Sequence, residues 1–270
     1  MSTLPETVAR WDKFLAGIHE RFGAVLSEAQ TGCAQLLANN DYDTSAFGIA
    51  WSAMEARAKQ LDSKLWNSWE DKVSPMFDAL DLEAAVEDRE RHKAETLSGR
   101  MEVELEQMRV RVFADAARAV WQRAVAQAPP QLSCSGCGAP MAAPQALSAV
   151  NLTCPHCSAV VTYEPGMRLR AIEHFCVHPL CEELSWQQWL AQHEAERALN
   201  DSRNETIGLL QAYEHAQVQY WRTYLTHRVQ LLPARAADFD KDLRGRMAAW
   251  YDRVHHSAAW IKAGRPRTLA

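Results

Sequence analysis

The chain has 270 residues and a mass of 30.4 kDa, with 47% hydrophobic residues, 23% charged residues and a formal net charge of −5. That composition excludes a globally disordered chain, and the acidic balance, with a pI near 6.1, excludes a strongly basic coat for nucleic acid. No apolar run approaches the 18 or so residues of a membrane span, and no basic and then apolar leader opens the chain, so the sequence reads as a cytoplasmic protein without a membrane partner.

Thr3 is placed to cap a first helix, with Pro5 in the first turn and Glu6 three residues on. Val8, Trp11, Leu15, Ile18, Phe22, Val25, Ala29 and Leu36 then follow, mostly at alternating steps of three and four, which predicts a heptad seam. Asn39-Asn40-Asp41 reads as a turn. A second seam runs Phe47, Trp51, Met54, Ala58, Leu61, Leu65, Trp69 and Val73, and Ser74-Pro75 should end or kink it. The two seams suit an antiparallel helical hairpin. A third helical segment is expected from Met76 to about Gln127. Its middle, Glu87 to Glu95, has almost no apolar face and reads as a solvated stretch laced with pairs such as Glu87–Arg91. Such a segment covers a bundle unevenly, which leaves apolar surface for self-association or a protein partner.

Six prolines then fall between Pro129 and Pro165, so helix gives way to an insert. Within it, Cys134-Ser135-Gly136-Cys137 is followed, after sixteen residues, by Cys154-Pro155-His156-Cys157. A two-residue spacer lets one tight turn aim two sulfurs at a point. Two such turns supply the four thiolates that tetrahedral zinc accepts. Gly136 and Gly138 suit turns whose amides face sulfur, and 149–153 and 159–163 read as short strands. The segment Leu132 to Glu164 resembles the zinc-ribbon fold group through its knuckles Cys-Ser-Gly-Cys-Gly and Cys-Pro-His-Cys-Ser. The resemblance covers about an eighth of the chain and implies a metal-bound mini-fold. Residues 139–144 depart from it, because they make a poor first strand. With Cys134, Cys137, Cys154 and Cys157 as ligands, no coordination position stays open, so the zinc reads as structural, one per chain. His156 is expected to be exposed, not a ligand. From Gln131 to Glu164 there is no Lys and no Arg, which makes this module a poor binder of phosphate.

The remainder is helical again. Segments are expected at 167–175, 181–199, 207–231 and 236–263, with Pro179 and Pro233 as breaks. His174, Cys176, His178 and Cys181 are four ligand types within eight residues. They read either as buried thiols beside ordinary histidines or as a second metal or redox site. Cys33 reads as a small core residue. No Glu-x-x-His pair, phosphate loop, Gly-x-Ser-x-Gly elbow or His-Glu-x-x-His motif is present, and His255-His256 is a poor metal clamp.

The expected architecture is mainly α, a long-helix bundle or coiled-coil-like body with a small inserted four-cysteine zinc ribbon. Its parts are 1–130, 131–165 and 166–270, the two helical parts packing together. The sequence does not specify a biological role. Long seams, a charge-poor insert and the lack of catalytic motifs point to a non-enzymatic scaffold or adaptor acting through protein–protein contacts. Two other readings stay open: a zinc-ribbon regulator of transcription or nucleic-acid transactions, and a helical enzyme or effector with scattered site residues.

Overall fold

The computed structural model describes residues 3–40, 44–80, 84–126, 132–142, 149–164, 172–202 and 204–265, the side chains of Val125, Glu173 and His174 excepted. The fold is mainly α, with four short strands in a single insert among the described residues. The chain forms two compact units, Met1–Ala116 and Ala117–Ala270, and the insert belongs to the second.

The first unit holds α1 (Leu4–Asn39), α2 (Thr44–Ser68), α3 (Ser74–Asp78) and most of α4 (Ala84–Ala126). The Glu6 carboxylate accepts the Thr3 amide at 2.9 Å and so starts α1 as its sequence implies. Asn40 closes it, donating from its backbone and its side chain to the Leu36 carbonyl. Trp69 of the returning chain lies 5.5 Å from Trp11, and Arg57 pairs with Glu28 at 3.0 Å, so α2 runs antiparallel to α1. The Trp11 indole donates to the Glu90 carbonyl, Lys93 meets Asp12 at 2.7 Å and His19 meets Glu104 at 2.9 Å. Helix α4 therefore runs parallel to α1.

The buried stripe of α1 is Trp11, Leu15, Ile18, Phe22, Leu26, Ala29, Cys33 and Leu37. The heptad expected from the sequence holds to Phe22 and then fails, because Leu26 and Leu37 take the inward places expected for Val25 and Leu36. The steps are 4, 3, 4, repeating every eleven residues. Eleven residues in three turns is 3.67 per turn, close to the natural 3.6, so the stripe stays inward without the supercoil that a strict heptad demands. Helix α4 shows the same steps from Glu90 through Ala94 and Leu97 to Met101, and further on Val110, Val112, Ala114, Ala116 and Ala117 widen the buried side.

The charged middle of α4 is not a freely solvated stretch. Glu90 is 1% exposed and Ala94 fully buried. The Glu90 carboxylate pairs with Arg89 and Lys93, Glu87 accepts from the Ser74 hydroxyl at 2.6 Å, and Arg91 pairs with Glu95 in place of the expected Glu87. One face is wet and the other is closed by Trp11. Trp11→Ala should accordingly cost the first unit about 3–5 kcal/mol, whereas Trp11→Phe, losing chiefly the N–H donor, should cost about 1. Urea unfolding followed by far-UV circular dichroism would measure both.

Ser74-Pro75 kinks the chain. A π turn, Trp69–Val73, leads into α3 with Pro75 in its first turn, and the long third helix starts at Ala84 rather than Met76.

In the second unit a π turn, Ile172–Cys176, runs into α5 (Val177–Leu184), followed by α6 (Trp186–Asn200), α7 (Ile207–Leu231), a 3-10 turn (Pro233–Asp238), α8 (Phe239–Val254) and α9 (Ala258–Lys262). Pro179 does not break the helix as expected. It sits in the first turn of α5, where a missing N–H costs little. The expected last helix is interrupted at 255–257, and the bend sets Trp260 against Trp250 and Tyr251 at 6.0 and 6.5 Å. The core of this unit includes Cys181, Leu210, Leu225, Met247 and Trp250.

Candidate metal centre

Each Cys-x-x-Cys lies in the turn of its own antiparallel hairpin. Strands β1 (Leu132–Ser133) and β2 (Pro140–Met141) flank the first, and β3 (Val150–Thr153) and β4 (Val160–Tyr163) flank the second. The first ladder has only two residue pairs, in keeping with the weak strand expected there.

The two turns are copies of one design. The Cys134 amide donates to the Ala139 carbonyl at 2.9 Å, and the Cys154 amide to Ala159 at 2.8 Å. Gly138 and Ser158 donate back to the carbonyls of Cys134 and Cys154. The Gly136 amide points at Cys134 Sγ, 3.3 Å away, and the His156 amide at Cys154 Sγ, 3.4 Å away. Gly138 has φ +72° and Ser158 φ +60°, so both loops leave the knuckle through the left-handed region. The basis is a repeat in the chain. Leu-Ser-Cys-Ser-Gly-Cys-Gly-Ala at 132–139 returns as Leu-Thr-Cys-Pro-His-Cys-Ser-Ala at 152–159. The residues after each second cysteine escape a search for ligand types alone, and that repeat is the signal that reveals them.

All four Sγ atoms lie within 4.8 Å of one another, with Cys134–Cys157 at 3.5 Å and Cys137–Cys154 at 3.8 Å. Sulfurs about 2.3 Å from a central zinc stand about 3.8 Å apart, whereas a disulfide requires about 2.0 Å. The cluster could hold a metal ion, and the cysteines are free thiols. Cys134 and Cys154 are buried, Cys137 and Cys157 exposed. The Cys137 and Gly136 amides bring the Cys134 thiol down to about 6. Those of Cys157 and His156 lower Cys154. At Cys157 the Ala159 amide pulls downward, but the Cys137 and Cys134 sulfurs outweigh it and push the thiol up to about 12. Backbone dipoles thus favour the thiolate at Cys134 and Cys154, the first cysteine of each knuckle. The chain matches no family model, no curated protein and no solved structure.

His156 is exposed and outside the cluster. The other group of ligand types does not assemble among the described residues. Cys176 and Cys181 are fully buried, and His178 turns to the Tyr224 hydroxyl at 2.7 Å. The side chain of His174 lies outside the described residues. Cys33 is a core residue of α1, as expected. A groove of about 550 Å³ between α1 and α4 is lined by Leu15, Leu97, His19, Lys93 and Arg100. Its basic side chains face carboxylates: His19 and Arg100 meet Glu104, and Lys93 meets Asp12 and Glu90.

The left-handed exit carries a stability consequence. Gly138→Ala places a Cβ in a conformation that costs about 1–2 kcal/mol, so it should weaken metal retention roughly tenfold. Ser158→Gly relieves the same strain and should strengthen it. Competition against a chromogenic chelator would rank the two variants on either side of the parent.

Proposed function

We propose that Cys134, Cys137, Cys154 and Cys157 bind one zinc ion as four thiolates, and that the chain is a non-enzymatic helical scaffold or adaptor working through protein–protein contacts. The sulfur spacing carries the metal reading, since separations of 3.5 and 3.8 Å match a zinc tetrathiolate. Four thiolates leave no open position for substrate or water, which favours a structural ion. Two hairpins this short gain from such an ion what their own ladders cannot supply. The adaptor reading is supported by charge and surface. The insert carries no Lys or Arg, and a zinc tetrathiolate adds a formal −2, so phosphate is repelled. Val160, on β4 beside the cluster, is 64% exposed and offers an apolar contact.

Elemental analysis of the purified chain should find about one zinc per molecule, and Cys137→Ser should lose it. Full zinc in that variant would sink the ligand assignment. For the adaptor reading, a photo-crosslinker placed at position 162 should capture a defined protein in cells, and Val160→Asp should abolish that capture. A complex with a defined DNA or RNA sequence that survives raised salt would overturn it.

A further inference from the structure

Given zinc held by four thiolates, the geometry points to a peroxide-operated switch in which exposed Cys137 and Cys157 are oxidised first and buried Cys154 and Cys134 resolve them. The pairing follows from the two copies of the knuckle. In each copy the first cysteine is buried and the second exposed. The contacts then run across the copies: Cys157 Sγ lies 3.5 Å from Cys134 Sγ, and Cys137 Sγ lies 3.8 Å from Cys154 Sγ. Each exposed cysteine has a buried cysteine of the opposite hairpin beside it. An exposed thiolate with a resolving thiol in reach is the arrangement that lets oxidation stop at a disulfide.

The chemistry balances with a hydroperoxide as the oxidant. The Cys157 thiolate attacks one peroxide oxygen, the O–O bond breaks, and Cys157 becomes a sulfenic acid as hydroxide leaves. The Cys134 thiolate then attacks that sulfur, forms the S–S bond and expels a second hydroxide. Two electrons pass from the two sulfurs to one hydrogen peroxide, and the hydroxides take up protons as water. Cys137 and Cys154 consume a second peroxide in the same way. With its four ligands tied into two disulfides, the site no longer holds the ion. The hairpins that shared a metal become joined by covalent bonds between knuckles. The remaining thiols stand outside this chemistry, because Cys33, Cys176 and Cys181 are buried.

The test uses the full chain, assayed for zinc before any oxidant is added. A few equivalents of hydrogen peroxide should then release the zinc to a chromogenic indicator, and dithiothreitol with added zinc should restore it. No Lys or Arg separates the two knuckles, so trypsin leaves all four cysteines in one peptide. Chymotrypsin, cutting after Leu147 or Leu152, separates them. Non-reducing mass spectrometry, with fragmentation between the two cysteines of each half, should find the halves linked by 134–157 and 137–154 disulfides, with Cys33, Cys176 and Cys181 still free. Absence of zinc before oxidation would overturn the metal reading itself. Zinc present but retained under peroxide, zinc released with sulfinic or sulfonic acids only, or disulfides confined to 134–137 and 154–157 would each overturn the switch and leave the metal reading standing.

Discussion

Stripping the metal should make four of the seven cysteines reactive and leave three hidden. In the loaded protein all four knuckle sulfurs are ligands, and the other thiols are shielded. Cys33 is 2% exposed, and Cys176 and Cys181 are fully buried. Burial also pushes Cys176 and Cys181 up to about 12, so neither offers an appreciable thiolate near neutral pH, and the thiolate is the nucleophile. Ellman's reagent should therefore find almost no fast thiols in the loaded chain, four after a strong chelator, and all seven in denaturant. The effect is large because the metal's contribution to a small zinc module is of order 10–16 kcal/mol, while ladders of two and four residue pairs contribute little alone. Far-UV circular dichroism should barely change, since the helices do not include the knuckles. Six fast thiols after chelation, Cys176 and Cys181 joining the four, would mean that the helical core of the second unit depends on the ion. Unchanged thiol reactivity would mean that the cysteines are not its ligands.

The site was legible in the sequence to the extent that it is local. A Cys-x-x-Cys turn is decided within six residues, so spacing alone named the four sulfurs that the fold gathers. What spacing cannot reveal is which sulfur of a pair faces water, because that depends on the hairpin around it. The helical body was legible where periodicity was unbroken, as in α1 from Trp11 to Phe22. Beyond Phe22 a heptad and an eleven-residue repeat differ by one position in six turns. Val25 and Leu26 are both apolar, so composition does not choose between them. The inward side is settled by the neighbouring helices instead. The same holds at Glu90. A glutamate in a run of charges reads as solvated, yet Trp11 covers it from a distance of 79 residues along the chain. Prolines misled in the opposite sense. Pro179 is compatible with the helix it seemed to end, because only its place in the first turn matters. At 174–181 the described ligand types do not gather: Cys176 and Cys181 are buried, and His178 meets the Tyr224 hydroxyl.

Raising the pH from 8 to 10 should destabilise the second unit well before its tyrosines titrate. Desolvation raises Cys176 and Cys181 to about 12; at Cys181 the nearby Arg228 opposes the shift and Glu182 adds to it. In the unfolded chain both thiols would titrate near their ordinary value of about 8.5. The folded state thus keeps two protons that the unfolded state gives up. Stability from this source is fully present below about pH 8.5 and is lost as the pH climbs toward 12. Each thiol contributes a slope approaching about 1.4 kcal/mol per pH unit, so the pair should cost on the order of 4 kcal/mol by pH 10. That is a large share of the 5–15 kcal/mol that usually holds a domain together. Sulfurs bound to zinc carry no proton, while the same thiols hold theirs below about pH 8.5 when unfolded, so the metal site adds a slope of opposite sign that cancels between the parent and a variant lacking Cys176 and Cys181. Tyr213, Tyr224 and Tyr251, all raised by burial, would steepen the loss only above about pH 10. Urea midpoints at pH 8, 9 and 10, read from the tryptophan fluorescence of the chain, to which both units contribute, would trace the decline as a difference between parent and variant. The double variant Cys176→Ala, Cys181→Ala should start less stable at pH 8, through the volume lost in the core, and then hold a flatter profile to pH 10. Parallel profiles for parent and variant would show that the alkaline loss comes from other groups.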